Sequence, residues 1–352
     1  MNLNISSERY TGIDLLRFIC AFFVIYIHTA QNDAKLLLPL TRSAVPVFFM
    51  ISGYFYSSVE SKSAQKKQII KTLKLLFFST IIYIIWDVVH SFITFEPPLA
   101  LSIFPTFTMV RLDYFFFRDT KPWLYFLIFN LPPVGSHLWY LSAFLYVLVF
   151  IWASNHFVER KKLYILIPIL LTVSLFLSCY SKILLDWQLK EMVYRNFLFM
   201  ALPFFLLGDY LRECKFCKNL STPKICVVFF LSIILVYVEN AFLKNFDPSF
   251  KPVLYIGTVF MSISMLLLAE RDLAIYRGIL LGLLARWGRL YSLDIYIIHM
   301  LLWGILKLML DLITQQFPEF STLYVLTGPI IIMSISLLTA AVWRRIKLFI
   351  KN

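Results

Sequence analysis

Charge is scarce in this sequence, and so are the devices that build a soluble enzyme around a metal or a phosphate. Only 15% of the 352 residues are charged, against 60% hydrophobic, a balance that excludes an ordinary water-soluble domain. No polar stretch between the apolar runs is long enough to bury a core of its own. Ten glycines are scattered rather than gathered into a phosphate loop, and no His/Glu or Asp-rich spacing suits a metal. Of the five cysteines, Cys20, Cys179, Cys214, Cys217 and Cys226, Cys214 and Cys217 make one C-x-x-C pair. Neither a second pair nor a neighbouring His completes a zinc set, so no metal is expected. A cleavable signal peptide is also not expected: MNLNISSERY is polar, and the first apolar run is too long and too polar on one face for an h-region. No internal repeat marks the inverted halves of many secondary transporters.

Long apolar runs fill the space these absences leave. Breaking them at charge and Pro clusters gives about ten membrane-length spans, near 12–30, 42–58, 69–90, 138–156, 163–181, 196–212, 225–243, 252–269, 290–309 and 323–343. The expected fold class is an all-α polytopic membrane protein, 1–352 forming a single transmembrane domain. The net charge of +13 does not point to nucleic acid, because Lys and Arg follow loops rather than one basic face. They concentrate at 60–67, 159–162, 212–219, 270–289 and the C-terminal tail, which puts those loops and both termini in the cytoplasm. The longest irregular region, 91–137, then lies outside. Its aromatics Trp123, Tyr125, Phe126 and Phe129 form a run too short to cross, so the region is expected to act as a lid or re-entrant piece over an outward-opening cavity.

The first span, GIDLLRFICAFFVIYIHTA, carries Asp14, Arg17 and His28. At ~100° per residue, the step from Arg17 to His28 returns to within ~20° of the same face, and Asp14 falls within ~40° of His28. One polar stripe therefore climbs an apolar helix, with the imidazole roughly 16 Å beyond the guanidinium. Ionisable groups in a bilayer are costly unless they face protein or water, so the stripe predicts a functional cavity. The competing reading has Arg17 snorkelling, Asp14 pairing with it and His28 marking the far interface.

Several further stretches carry a resemblance. The arginine, ten residues, histidine pattern from Arg17 to His28, PVFFMISGYF (46–55), the basic start of the third span, HLWYLSAFLY (137–146), YRNFLFMALPFFLLGDYL (194–211) and SLDIYIIHMLL (292–302) together resemble the acyltransferase-3 family of bacterial integral-membrane O-acyltransferases. The stand-alone type similar to enterobacterial common antigen O-acetyltransferase fits, and the membrane half of vancomycin-resistance serine racemases is also similar. Where the family shows arginines at the third span, this chain has Lys67, Lys71 and Lys74, and lysine offers a phosphate only a point charge.

The resemblance implies a bacterial inner-membrane enzyme that moves an acetyl group from cytoplasmic acetyl-CoA to a hydroxyl of a cell-envelope glycan. Such chemistry needs a base for the alcohol proton, and the imidazole of His28 suits neutral pH. Arg17 and Asp14 would hold the stripe and donor in register. Lys71 and Lys74 are candidates for the donor phosphates, or else simply obey the positive-inside rule. Ser52, the backbone at Gly53 and Tyr54 are candidates for the thioester end, or else a small-residue helix contact. On the acceptor side stand His137 and Trp139, where an indole either stacks a sugar or sits in an interfacial belt. Arg195 and Asn196 either bind acceptor hydroxyls or start a helix. Tyr296 and His299 either line the cavity or, in the competing view, His299 is a buried imidazole satisfied by a neighbouring helix. His90 and His156 are expected at interfaces. The implied partners are membrane lipid and a glycan or lipid-linked glycan, with homo-oligomers or glycan-assembly proteins also open, and no nucleic acid. A transporter or flippase of a small polar metabolite or lipid-linked carrier is the alternative of a different class.

Overall fold

A computed structural model of the protein describes residues 11–29, 36–56, 61–94, 121–132, 134–187, 189–248, 252–271, 273–314 and 319–351. Among them every regular element is helical, and no strand occurs. In order they are α1 (Thr11–Thr29), α2 (Leu38–Thr41), α3 (Ala44–Tyr56), α4 (Lys62–Thr94), α5 (Lys121–Phe129), α6 (Trp139–Ser154), α7 (Leu166–Leu175), α8 (Ser181–Leu185), α9 (Leu202–Glu213), α10 (Lys215–Asn219), α11 (Thr222–Phe246), α12 (Ile256–Glu270), α13 (Ile279–Thr314) and α14 (Glu319–Lys351). Short 3-10 and π segments extend some of them: Arg160–Ile165 leads into α7, Phe176–Tyr180 joins α7 to α8, and Phe197–Ala201 leads into α9.

A backbone in hydrocarbon must satisfy its N–H and C=O groups internally, which is why each of these apolar runs folds as a helix. Among the described residues, seven helical stretches are long and apolar enough to cross a membrane: Thr11–Thr29, Lys62–Ile93, Ser136–Ser154, Arg160–Leu185, Thr222–Phe246, Ile279–Leu310 and Thr327–Phe349. The other three expected spans also fall on helices, but α3 has 13 residues and α12 has 15, with α9 shorter still. The burial pattern is that of a protein dissolved in lipid. On α4, Gln65, Thr72 and Ser79 are buried while Phe77, Phe78, Ile85 and Phe92 are exposed. On α11, Ser232 and Glu239 are buried while Phe230, Leu231, Ile234 and Phe242 face outward. In water this arrangement would be inside out; in a bilayer it is the stable one, and the chain is a multi-pass membrane protein. Most of the outer region predicted as a lid, 95–120, lies outside the described residues, as does the polar segment 1–10. Within 91–137 the described residues hold the last turn of α4 and then α5, whose nine residues are too few to span.

The chain forms two compact units, one of Met1–Ile51, Cys214–Ala241 and Ile256–Asn352, the other of Ser52–Glu213 and Phe242–Tyr255. In the first, α1 packs along α13 in the same direction: Asp14 faces Arg289, Phe18 faces Trp287 and His28 faces His299. Between them Ala21, Ile25 and Ile295 join Ile332 and Met333 of α14 in one apolar core. Gly288 lets the two backbones meet, because a Cβ there would stand 2.8 Å from the Phe18 nitrogen and closer still to the Asp14 carbonyl. The end of α12 abuts the start of α1, where a Cβ on Gly12 would meet the Ala269 carbonyl. Arg271, just past α12, donates to the carbonyls of Cys217 and Leu220 before α11. At its other end α12 returns to α11, whose Glu239 carboxylate accepts from the Ile256 and Gly257 amides. Thus α1, α11 and α13 are parallel, and the 15-residue α12 runs back against α11 and α1. Arg344 and Lys347 near the end of α14 lie within reach of Asp294 of α13, while Ile332 and Met333 share the core with Trp303 and Leu306 further along α13, so α14 runs antiparallel to α13. The start of α1 and the end of α14 therefore share one end of this unit, together with Lys215, Lys218, Lys224, Arg286 and Arg289.

In the second unit α4 packs on α6, and α9 on α7. Gly53 of α3 lies against the Phe205 carbonyl of α9, too close for any Cβ. Asn130, fully buried with φ at +49°, ties three elements. Its amide donates to the Trp139 carbonyl, its side-chain oxygen accepts from the Phe197 amide, and its own carbonyl accepts from Ser142.

Candidate functional site

Two clusters in the first unit contain the stripe predicted on α1. At the basic end Arg17 Nη1 pairs with Asp14 Oδ1 at 2.7 Å, three residues apart on one helix face. The other carboxylate oxygen faces Arg289 Nε of α13 at 3.9 Å. Asp14 is only 11% exposed, with Arg17 at 26% and Arg289 at 44%. One buried carboxylate between two guanidiniums leaves the cluster net positive, which suits an anionic ligand approaching from that end. Arg289 was counted from sequence only among loop charges. Its membership depends on the parallel contact of α1 with α13, which no spacing on α1 reveals.

At the far end of the same helix pair, the partly buried ring of His28 faces that of His299, centroids 5.4 Å apart and planes at 42°. His299 is fully buried. Its Nδ1 lies 2.8 Å from the Tyr296 carbonyl and 3.1 Å from the Ile295 carbonyl. Carbonyls only accept, so Nδ1 carries the proton and donates. The Tyr296 ring stands 6.3 Å from the same imidazole, and Tyr296 is itself buried. The fold thus gathers His28, His299 and Tyr296, three of the residues singled out from sequence, at one place, roughly 16 Å along α1 from Arg17.

The remaining candidates lie in the second unit, and their surroundings differ. Trp139 is buried with the Arg195 guanidinium 4.8 Å above its ring, so these two are brought together. Arg195 is also held by Glu191 at 2.6 Å. His137 is buried edge-on against Tyr83, centroids 4.5 Å apart. Asn196 has the helix-start role: its side-chain oxygen accepts from the Leu198 and Phe199 amides, and its amide donates to the Met192 and Val193 carbonyls. Tyr54 is buried, with Arg212 donating to its carbonyl and lying 5.2 Å over its ring. Ser52 is half-buried beside Gly53, where close approach of α9 supports the small-residue packing reading. Lys71 and Lys74 are exposed on α4, away from the face that buries Gln65, Thr72 and Ser79.

A further charged group was missed. Asp209 is fully buried in α9, paired with Arg160 Nε at 3.1 Å and accepting from the Tyr164 hydroxyl at 3.1 Å. An acidic residue inside the apolar run FFLLGDYL was itself a signal. Glu239 on α11 gave the same signal. Near the surface, burial first and then the hydrogen bond to Cys214 push the Cys217 thiol up to about 12. Among the described residues no group of His, Cys, Asp and Glu is placed to hold a metal.

Comparison with known proteins agrees with the resemblance drawn from the motifs. The model of the acyltransferase domain family Acyl_transf_3 matches residues 10–343. An amino-acid racemase of Enterococcus faecalis is 26% identical over 264 residues, 68% of this chain and 33% of its own. A serine/alanine racemase of Enterococcus gallinarum is 25% identical over 259 residues, 67% of this chain and 34% of its own. The chain thus spans about a third of the length of these curated relatives. No solved structure matches. Because the family model runs from before α1 into α14, taking in both clusters of the first unit, the chain belongs to the Acyl_transf_3 acyltransferase domain family.

Proposed function

We propose that the chain is an O-acyltransferase of the bacterial inner membrane that passes an acetyl group from cytoplasmic acetyl-CoA to a hydroxyl of a cell-envelope glycan. The observation that carries this reading is the placement of a cationic cluster and an imidazole pair at opposite ends of one helix pair. Positive-inside bias assigns the end bearing Arg17, Arg289, Lys215, Lys218 and Arg344 to the cytoplasm. On this reading α12 crosses despite its length, since α11 and α13 are parallel, and α3 and α9 cross together, which gives ten spans with both termini inside; parity requires only that these two cross as a pair or not at all.

On this reading Arg17 and Arg289 meet the phosphates of the donor, which supplies the thioester, and Asp14 keeps both guanidiniums in place. His28 takes the proton of the acceptor hydroxyl, whose oxygen attacks the thioester carbonyl. As the carbon–sulfur bond breaks, His28 returns that proton to the departing thiolate. Trp139 and Arg195, stacked on each other, offer an apolar face and a cation of the kind that holds a sugar. The active chain acts as a single transmembrane domain with membrane lipid and a glycan or lipid-linked glycan as partners, alone or with further copies or glycan-assembly proteins.

The test is mass spectrometry of envelope glycans from cells with the chain, without it, and with His28→Ala. Acyl groups present only with the unaltered chain support the proposal, while undiminished acylation by His28→Ala at equal membrane abundance removes His28 as the base. A second reading, of a different class, is carriage of a small polar metabolite through the membrane, and the names of the matched relatives, an amino-acid racemase and a serine/alanine racemase, supply serine and alanine as the solutes to try. Exchange of labelled serine or alanine across vesicles containing the chain, without release of CoA, would establish that reading in place of the first.

A further inference from the structure

We infer that His299 is a positioning residue for His28: its Nε2 accepts the N–H that His28 bears once it has taken the acceptor's proton. This rests on the assignment of His28 as base and concerns how that base is supported. His299 is fully buried and pinned by its own helix, with Nδ1 donating to the Tyr296 and Ile295 carbonyls. A neutral imidazole that protonates Nδ1 keeps its lone pair on Nε2. The His28 ring is the aromatic neighbour from α1, with centroids 5.4 Å apart. Two imidazoles this close do not both take a proton, because like charges in a buried setting repel. The ring already protonated at Nδ1 and sealed from solvent stays neutral, and the partly buried one at the end of α1 becomes the cation.

Proton bookkeeping is unchanged by the assignment. The hydroxyl proton moves to His28 and then to the thiolate, while His299 keeps its single proton throughout. What His299 adds is a fixed acceptor that aligns the His28 ring and stabilises its charged form, a task usually given to a carboxylate. A neutral ring does this in an apolar bundle without leaving a second buried charge.

Two amide substitutions separate this role from a purely structural one. His299→Asn retains an N–H where Nδ1 stood and loses the acceptor at Nε2. His299→Gln places an amide oxygen near the Nε2 position and loses the Nδ1 donor. The measurement uses the purified full chain in lipid vesicles, with acetyl-CoA as donor and the host cell's own envelope glycan fraction as acceptor, reading acetyl groups transferred. Expected is a fall in kcat of about tenfold or more for His299→Asn with KM near that of the unaltered chain, and largely retained kcat for His299→Gln. The reverse order, or equal loss in both at equal folded protein, overturns the inference and leaves His299 as a helix fastener. His28→Ala is run in parallel. Transfer by that variant, or none by the unaltered chain, removes the underlying reading, whereas a silent His28→Ala with the amide order reversed removes only the role of His299.

Discussion

Gly288→Ala and Gly282→Ala place the same methyl group on the same helix six residues apart, and the structure assigns them opposite outcomes. At Gly288 the added Cβ would lie 2.8 Å from the Phe18 nitrogen and nearer still to the Asp14 carbonyl oxygen, both backbone atoms of α1. Backbone does not swing aside as a side-chain tip does, so α13 and α1 must separate by about an ångström to reach ordinary contact. Overpacking of this kind costs about 1–3 kcal/mol, a sizeable part of the stability of any fold. At Gly282 nothing lies within 4 Å of the added atom. There the better helix propensity of alanine is free to act and stabilises by about 0.5–1 kcal/mol. In a chain of 352 residues 1 kcal/mol moves Tm by roughly 1–2 °C, so thermal unfolding of detergent-solubilised protein should fall by about 1–6 °C for Gly288→Ala and hold or rise for Gly282→Ala. Acyl transfer should follow, because the separation pulls Arg289 from Asp14 and His299 from His28, and small misplacements of reacting groups cost large factors in rate. Equal Tm values for the two variants would refute the helix contact on which the whole site depends.

Three further outcomes are expected. Glu239→Ala leaves the Ile256 and Gly257 amides without their carboxylate in an apolar setting and should destabilise by about 1–3 kcal/mol, read as loss of solubilised protein on heating, with Glu239→Gln losing less. Asp209→Ala strips the buried partner from Arg160 and Tyr164 and should cost about 3 kcal/mol, whereas removing both members of the ion pair in Asp209→Leu with Arg160→Leu should recover part of that, measured by the same melt. With its thiol pushed up to about 12, Cys217 holds little thiolate at neutral pH, so alkylation there should be slow and should quicken as pH rises. In the proposed topology a membrane-impermeant maleimide should reach Cys214 only in permeabilised cells, and labelling of that thiol in intact cells would reverse the orientation.

What the sequence determined by itself is everything that depends on local pattern. Runs of apolar residues in a bilayer can only be helices, so the all-helical membrane fold followed from composition and length. The 3.6-residue period put Asp14, Arg17 and His28 on one face, and the family motifs pointed to acyl transfer. Tertiary structure alone decided which helix that face meets. The parallel seating of α13 on α1, allowed by the missing Cβ at Gly288, brings Arg289 to Asp14 and His299 to His28 from more than 250 positions away. It also separated residues that looked alike on paper. Asn196 caps a helix and Lys71 and Lys74 face outward, whereas His299 points into the bundle. Spacing along one helix fixes an azimuth, but the partner at that azimuth is set by packing between helices distant in the chain, and no periodicity encodes it.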